Sequence, residues 1–331
     1  MRLISSAGAA LAAAAMALVG HAVHGTAPAA SAAPAAAPVP AEAGPVCEAQ
    51  WRDDSRQRTV PVRIRMPAGS DRVPLILFSH GLGGGLDAGT RWAQAWVAAG
   101  FAVIHLQHPG SDLAGVRQAG LRGAMTAEQL VARGQDVRFV LDRAIAGGRE
   151  GACDLGRIDR TRIGMAGHSF GAQTTLAVAG MRAPGGAAPL ADPRIRAAIA
   201  LSPQPSMALG DAEAFGAIRM PFLSITGTKD ALPWLNQVTA ADRERPFRAM
   251  APGDKYLLVL AGGNHGDFGG RAPGAPRFMR SEGGDEARIA PIVIDATTLF
   301  WRATLRDDRA AATALGQFGT HLAPGDRFER R

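Results

Sequence analysis

The chain has 331 residues, of which 47% are hydrophobic and 20% are charged, enough for one large folded domain or two small ones. Its formal net charge of +7 comes almost wholly from arginine, because Lys229 and Lys255 are the only lysines. Acidic residues are interleaved with the arginines and no basic run occurs, so the composition argues against nucleic-acid binding.

The first 32 residues have the pattern of a secretory signal peptide. Met1 and Arg2 form a minimal basic start, residues 3–20 are apolar and alanine-rich, and small residues suited to cleavage end at Ala22 or Ala32. A membrane anchor is the alternative, but so much alanine makes a weak spanning helix. We therefore expect cleavage after Ala22 or Ala32, no membrane span in the mature chain, and a secreted or periplasmic protein.

An Ala/Pro-rich segment over residues 33–46 has too few bulky side chains to pack, which predicts a disordered spacer before a catalytic domain over 47–331. The two cysteines of the chain are Cys47 and Cys153. Their spacing fits no metal motif, and an exported protein enters an oxidising compartment. The sequence therefore predicts a disulfide between them.

The predicted elements begin with two strands of different type. Residues 59–65 alternate apolar and polar side chains, which is typical of an antiparallel edge strand that tolerates Pro61. Residues 73–79 are continuously apolar, which favours a strand buried on both faces of a parallel sheet. A helix over 91–99 and a strand over 101–106 are predicted next, in the order of a β–α–β unit.

Strand and helix patterns continue to alternate further along the chain. The polar, glycine-rich stretch 107–125 predicts a loop, and Thr126 and Gln129 mark a capping box that begins a long helix. Further strands and a C-terminal helix are predicted at 162–166, 195–201, 221–226, 255–261 and 287–304. The alternation predicts an α/β fold, with a doubly wound, mainly parallel sheet, flanking helices and no large lid domain.

A nucleophile elbow is indicated where a strand pattern meets a helix pattern, at Gly167, Ser169 and Gly171. In such an elbow a strand stops, one serine occupies a strained turn and a helix starts at once. Strand and helix nearly collide there, so the flanking positions need glycine. The turn lifts the hydroxyl above the sheet, and the helix start behind it favours an oxyanion. Ser169 is therefore the candidate nucleophile.

A serine nucleophile needs a base, and the base needs an orienting carboxylate. In a fold of this type the chain order is Ser, then Asp or Glu, then His, each after a strand. His265 directly follows the last apolar strand and is the candidate base. Asp230 is the candidate acid, with Asp211 in the preceding loop as the alternative. The remaining histidines after the leader precede the serine, adjoin it or lie in the tail: His80, His105, His108, His168 and His321.

An oxyanion hole needs two converging backbone N–H groups. Phe170 N–H, directly after the nucleophile, is one candidate. Leu82 N–H is the second, because it lies in the loop after the strand over 73–79 and the glycines at 83–85 let that loop fold tightly. A phosphate-binding loop is the rival interpretation, but no Gly-Lys-Ser or Gly-Lys-Thr supports it.

A metal site could be suggested by His105 and His108 together with Asp112. One of these histidines lies within a predicted strand, and the spacing fits no strong metal-binding motif. We therefore expect neither a metal ion nor a cofactor.

At these residues the chain resembles the α/β-hydrolase superfamily, most of all secreted bacterial dienelactone-hydrolase-like proteins related to platelet-activating-factor acetylhydrolases and polyester hydrolases. The resemblance covers nearly all of residues 47–305 and rests on the motifs at 79–84, 108–112, 135–142, 167–171 and 264–268. It implies ester hydrolysis. Dienelactone hydrolases use a cysteine nucleophile, however, and the acetylhydrolases carry their acid where this chain has Ser202, so the particular ester stays open.

The leading hypothesis is a monomeric, secreted serine esterase that acts through an acyl-enzyme on a small-molecule or polymeric ester. A peptidase with the same triad and a non-catalytic binding module are the alternatives. No amphipathic segment long enough for a lid is apparent, so we expect an open acyl site formed partly by Trp234 and Leu82. An open site stops gaining burial energy after a few methylenes, which predicts a preference for acyl groups of roughly two to eight carbons, or for polyesters.

Overall fold

A mixed β-sheet dominates the part of the chain that this computed structural model describes, which comprises residues 44–233, 237–271 and 285–331. The strands are β1 (Val46–Asp53), β2 (Arg58–Arg65), β3 (Val73–Ser79), β4 (Ala102–Leu106), β5 (Arg149–Glu150), β6 (Cys153–Asp154), β7 (Ile158–His168), β8 (Ile195–Leu201), β9 (Phe222–Lys229), β10 (Lys255–Asn264) and β11 (Arg327–Arg330). Among these described strands, nine form one sheet in the order β1-β2-β4-β3-β7-β8-β9-β10-β11. The strands from β4 to β10 in this order run parallel, whereas β1, β2 and β11 are antiparallel additions at the edges.

Helices cover both faces of the sheet. They are α1 (Thr90–Ala98), α2 (Leu113–Gly123), α3 (Ala127–Ala146), α4 (Phe170–Val178), α5 (Asp211–Phe215), α6 (Arg245–Ala249), α7 (Glu286–Leu305) and α8 (Arg309–Gly316). Successive side chains of a strand point to opposite faces, so Ile76 and Phe78 pack with α1 and α7, while Leu75 and Leu77 pack with α3. The predicted α/β architecture with a mainly parallel sheet is confirmed.

One edge of the sheet differs from the prediction. The segment predicted as an edge strand is β2, which lies inside the sheet because β1 pairs with its outer side, Trp51 opposite Val60. Val46 already belongs to β1, and the Pro45 carbonyl accepts from Met66 N–H over 3.0 Å, so the end of the predicted spacer is part of the folded sheet. The sequence does not predict β1, because most of its side chains are only partly buried or exposed and its apolar pattern is weak. The predicted signal peptide and the part of the predicted spacer before residue 44 lie outside the described residues.

The predicted loop over 107–125 contains a helix, α2. Asp112 caps its start, because the Asp112 carboxylate accepts from Gly115 N–H over 2.9 Å. Gly120, with φ of 71°, interrupts the helix near its end. The glycines that made this stretch resemble a loop thus mark a break inside a short helix. Strand β11, at the edge of the sheet opposite β1, and helix α8 were not predicted from the sequence either.

A disulfide links Cys47 on β1 to Cys153 on β6, as the sequence predicts. It ties the first strand to the segment that leads into β7, closing a span of 106 residues. None of the helices in the described ranges has both the length and the apolar character needed to cross a bilayer.

Candidate active site

Ser169 occupies the turn between β7 and α4 in a strained backbone conformation, with φ of 57° and ψ of −116°. The turn is so tight that a Cβ added to Gly167 would lie 2.2 Å from the Gly171 carbonyl oxygen. A Cβ on Gly171 would lie 1.9 Å from the carbonyl oxygen of Ser79 at the end of β3. Both positions therefore require glycine, and the elbow geometry indicated by the sequence is present.

His265 and Asp230 lie in line with this serine. Asp230 directly follows β9 and His265 directly follows β10, so neighbouring parallel strands bring both side chains to the same edge of the sheet. His265 Nε2 is 2.9 Å from Ser169 Oγ, and His265 Nδ1 is 2.8 Å from Asp230 Oδ1. A carboxylate can only accept, so Nδ1 carries the ring proton and Nε2 is free to accept from the serine hydroxyl.

Asp230 is fully buried but remains ionised. Burial alone raises the pKa of this carboxyl, yet the hydrogen bond from His265 and the charge of Arg243 outweigh it and hold the pKa below its usual value. The Thr226 hydroxyl donates to the second carboxylate oxygen over 2.9 Å. The alternative acid, Asp211, lies at the start of α5 and forms its ion pair with Arg245 at 2.7 Å.

The imidazole of His265 is held from behind by His168. The two rings lie with their centroids 4.8 Å apart, and His168 Nε2 is 2.9 Å from the His265 carbonyl oxygen. Because a carbonyl only accepts, His168 donates from Nε2. Burial lowers the pKa of His168 to about 3, so this second ring is neutral and adds no charge beside the base.

Of the two backbone N–H groups predicted for an oxyanion hole, Phe170 N–H directly follows Ser169 at the start of α4 and Leu82 N–H lies in the loop after β3. Within the described residues neither Leu82 N–H nor Phe170 N–H makes a hydrogen bond, whereas Ser169 N–H donates to the Leu201 carbonyl over 2.9 Å. A Cβ added to Gly81 would lie 3.3 Å from Ser169 Cβ, so the loop that carries Leu82 lies against the nucleophile. An oxyanion hole requires two such uncommitted donors that converge on one point.

His80 determines how this loop is oriented. His80 Nε2 accepts from the backbone N–H of His108 over 2.9 Å, so the ring proton is on Nδ1. Nδ1 then donates to the Gly81 carbonyl oxygen over 2.6 Å. Burial and the nearby Arg133 charge hold the pKa of His80 well below its ordinary value, so the ring stays neutral.

A second Ser–His–Asp array lies beneath the loop, and its members are fully buried. Ser79 Oγ is 2.9 Å from His108 Nε2, and His108 Nδ1 is 3.0 Å from Asp136 Oδ2. Arg133 donates to Ser79 Oγ over 2.9 Å and also to the His80 carbonyl. Burial and the Arg133 charge lower the pKa of His108 to about 4. With no exposed surface, this array cannot meet a substrate, and we assign it to supporting the loop above it.

One feature of the sequence indicates this network. Arg133 falls between Leu130 and Val137 on the apolar side of α3, where a charged residue is out of place unless it is paired. Arg243 gave no such signal, because it lies in a short polar segment between β9 and β10. Trp234, expected at the acyl site, is outside the described residues.

The residues of the rejected metal motif have separate partners. His105 Nδ1 is 2.9 Å from the Ala88 carbonyl oxygen, His108 belongs to the buried array, and Asp112 caps α2. Within the described ranges, no three His, Cys, Asp or Glu side chains are grouped as metal ligands.

The parallel sheet, with an elbow serine at the carboxyl edge of its strands, is the α/β-hydrolase fold. A ferulic acid esterase from Streptomyces cinnamoneus has a similar structure, with a TM-score of 0.55 and 19% sequence identity, covering 80% of this chain and 89% of that one. At this level of identity the likeness establishes the fold. No protein-family model and no curated protein matches the sequence.

Proposed function

We propose that this protein is a secreted serine hydrolase that cleaves carboxylic esters through an acyl-enzyme. The observation that carries the proposal is the hydrogen-bonded line from Asp230 through His265 to Ser169, with distances of 2.8 and 2.9 Å. The likeness to a ferulic acid esterase supports an ester-hydrolysing enzyme at the level of the fold. The Cys47–Cys153 disulfide and the signal-like leader support export.

Acylation begins when His265 Nε2 takes the proton of Ser169 Oγ as this oxygen attacks the ester carbonyl carbon. Asp230 stabilises the imidazolium, and the N–H groups of Leu82 and Phe170 donate to the oxyanion of the tetrahedral intermediate. The intermediate collapses when the carbon–oxygen bond to the leaving group breaks. His265 passes its proton to that oxygen, so the alcohol departs and the acyl group remains on Ser169.

Deacylation repeats the same steps with water as the nucleophile. His265 Nε2 takes a proton from water while the hydroxyl oxygen attacks the acyl carbonyl. The second tetrahedral intermediate uses the same two N–H donors, and its collapse returns the proton to Ser169 Oγ. The products are the carboxylic acid and the free enzyme, and no cofactor enters the cycle.

The substrate we propose is an ester with a short to medium acyl chain, or a polyester. Exposed apolar side chains in segments at the carboxyl edge of the sheet support an open site: Met207 is 84% exposed in the segment after β8, and Leu113 is 46% exposed at the start of α2. An open surface buries little of a long chain, at about 0.8 kcal/mol for each methylene that is buried. Acyl chains that extend beyond the site therefore gain no further binding free energy.

Amide hydrolysis with the same residues is the second enzymatic candidate, and a non-catalytic binding module is the third. An amide needs the leaving nitrogen to be protonated and usually a larger covering domain to position a peptide, which the segments after β8 and β9 are too short to build. A binding module would have no need for the strained serine backbone, which costs of order 1–3 kcal/mol to maintain. The ester hypothesis accounts for both the short segments after β8 and β9 and the strained backbone of the serine.

The proposal is tested with p-nitrophenyl esters of graded acyl length, together with the matched p-nitroanilides. We expect turnover of the esters, a plateau of kcat/KM within roughly two to eight carbons, and little turnover of the anilides. Ser169→Ala lowers kcat by on the order of 10⁴-fold or more and abolishes labelling by a fluorophosphonate probe. Ser70→Ala, which alters an exposed serine in the turn between β2 and β3, is the control that keeps both properties.

Four results would contradict the proposal. Retained fluorophosphonate labelling of Ser169→Ala would place the nucleophile elsewhere. Faster cleavage of the anilides would favour the amidase, and absence of both activities would favour the binding module. A preference for long-chain triglycerides with activation at the oil interface would show that the acyl site is not open.

A further inference from the structure

Arg243 is a buried cation in contact with the carboxylate that faces His265. It lies in the short 3₁₀ helix Ala241–Glu244 between β9 and β10, and its side chain is 1% exposed. Its Nε atom is 2.7 Å from Asp230 Oδ1 and also 2.7 Å from the Asp230 carbonyl oxygen. Asp230 Oδ1 is therefore shared between the guanidinium of Arg243 and the imidazole of His265.

The same guanidinium also binds the loop after the neighbouring strand. Arg243 Nη1 donates to the carbonyl oxygens of Ser202, over 3.0 Å, and of Pro203, over 3.2 Å. Ser202 has a φ of 56°, so this loop turns sharply at the end of β8. Arg243 thus joins the carboxyl ends of β8 and β9 at the point from which the Asp230 side chain starts.

A buried arginine is costly unless its charge and its donors are satisfied. Here one carboxylate and three backbone carbonyls compensate the charge and the Nε and Nη1 donors, while Nη2 has no hydrogen-bond partner among the described residues. Packing alone would be served as well by an apolar side chain of similar volume. The position of the charge, 2.7 Å from the one carboxylate that contacts His265, therefore points to a role in the chemistry of that pair.

The electrostatic consequence follows from the charges around the imidazole. Asp230 from the end of β9 favours the imidazolium, and Arg243 from the 3₁₀ helix opposes it by partly neutralising that carboxylate. His168, at the end of β7, is neutral because burial lowers its pKa to about 3. Asp267, on the same short helix as His265, accepts from Asn264 N–H over 2.9 Å.

We propose that Arg243 is a positioning residue, which holds the Asp230 carboxylate in line with His265 and places a positive charge beside this pair. This inference rests on the proposed esterase function. The guanidinium prevents rotation of the carboxylate, and its positive charge reduces the attraction that a bare carboxylate would exert on a proton at His265 Nε2.

The test compares Arg243→Gln and Arg243→Lys with a control in the same segment, Arg245→Gln. Arg245 is 45% exposed and pairs with Asp211 and Asp242, so its replacement leaves Asp230 untouched. The pH dependence of kcat/KM on p-nitrophenyl butyrate is measured for all four proteins. In Arg243→Gln we expect the acidic limb of the pH profile of kcat/KM to move to higher pH by about one unit, because a positive charge near the base is lost. We also expect kcat to fall roughly 10- to 100-fold as the acid loses its alignment, with KM little changed.

Arg243→Lys keeps the charge but not the forked geometry. It should therefore retain the acidic limb of the wild type while losing part of kcat. This separation of charge from geometry is not expected of a residue that only supports folding. An acidic limb at the same pH in wild type and in folded Arg243→Gln would overturn the inference, as would an equal shift in Arg245→Gln.

A second measurement does not depend on turnover. The pKa of His265 is followed by the NMR signal of its Cε1–H proton, assigned with His265→Gln, in wild type and Arg243→Gln. We expect this signal to titrate at higher pH in the variant than in wild type, because a positive charge near the imidazole is lost. If the wild type has no esterase activity, the proposed function is refuted. The NMR titration of His265 can still be compared between wild type and Arg243→Gln, so the two failures are distinguishable. If Arg243→Gln does not fold, it is replaced by Arg243→Met, which fills the volume without the charge. A titration of the His265 signal that is unchanged from wild type in the folded variant overturns the proposal.

Discussion

The Nδ1 atom of His80 lies 2.6 Å from the carbonyl oxygen of Gly81 and donates its proton to it. In a trans peptide the C=O and N–H bonds of one unit point in opposite directions. By holding the Gly81 carbonyl on one side of the loop, His80 directs the Leu82 N–H to the other. A histidine that touches no substrate in this scheme thereby sets the direction of one proposed oxyanion donor.

Replacing His80 should impair the transition state more than substrate binding. In His80→Ala the Gly81 carbonyl keeps only the hydrogen bond from Gly84 N–H, at 3.0 Å. The Gly81–Leu82 peptide is then less firmly held, and we expect kcat to fall by up to about 10²-fold, the effect of removing one oxyanion donor, with KM changed little. His80→Gln can accept from His108 N–H and donate to the Gly81 carbonyl, so it should recover part of the loss. Steady-state kinetics with p-nitrophenyl butyrate check this.

The control for His80 is His105→Gln, which alters a buried histidine that contacts the Ala88 carbonyl instead. Its kcat, per folded molecule counted by circular dichroism, should match that of the wild type. A loss of activity in His80→Ala that disappears when kcat is expressed per folded molecule would mean that His80 acts only on folding. An equal loss of kcat per folded molecule in the two variants would mean that the effect is not specific to the loop that carries Leu82.

Asp230, rather than Asp211, is predicted to orient His265. In Asp230→Asn the amide can donate to Nδ1, which moves the ring proton to Nε2 and removes the base, so kcat should fall roughly 10²- to 10⁴-fold. Asp211→Asn breaks only a partly exposed pair with Arg245 and should be mild. Kinetics of both variants at equal folded concentration check the ranking. The opposite order would move the acid to the segment before β9.

The disulfide should stabilise the domain without taking part in the site. It closes a span of 106 residues, and a loop of about 100 residues corresponds to an upper figure of ~4.7 kcal/mol in the chain-entropy model. The double variant Cys47→Ala/Cys153→Ala should therefore unfold at lower urea with unchanged kcat per folded molecule. Intact mass after alkylation without reductant provides the check on the wild type. Two alkylated thiols there would refute the bond in the exported protein.

Three buried histidines and the partly buried His168, all neutral, should make the protein sensitive to acid. Burial lowers the pKa of His105 and His168 to about 3 and of His108 to about 4, and the pKa of His80 lies well below its usual value. In the unfolded chain each titrates near ~6.5. Between these values the unfolded state binds more protons, so the free energy of unfolding decreases as pH falls, by about 1.4 kcal/mol per pH unit for each group.

With four such groups the slope reaches ~5 kcal/mol per pH unit below about pH 6, so a domain of ordinary stability should unfold near about pH 4 to 5. Urea unfolding at pH 7.5, 6.5 and 5.5 measures this dependence. His105→Phe, which fills the volume without a titrating group, should lose about a quarter of the slope. Equal stability at pH 7.5 and 5.5 in the wild type would contradict the prediction.

Several features of the site were determined by the sequence itself, because their causes are local. The elbow depends on two glycines within two residues of Ser169, where strand and helix approach too closely for side chains. The continuous apolar runs of the inner strands follow from burial on both faces, which is visible in composition alone. The chain order then singled out His265 and Asp230, since parallel strands end at one edge of the sheet.

Tertiary structure decided what depends on contacts between distant segments. Whether the strand over 59–65 was an edge depended on a half-exposed partner, Val46–Asp53, whose pattern is weak because it has one face in solvent. The two buried arginines are further cases. Arg133 is 54 residues from Ser79, and Arg243 is 13 residues from Asp230. Burial of a charge is favourable only when its partners surround it, and that depends on how the whole chain packs.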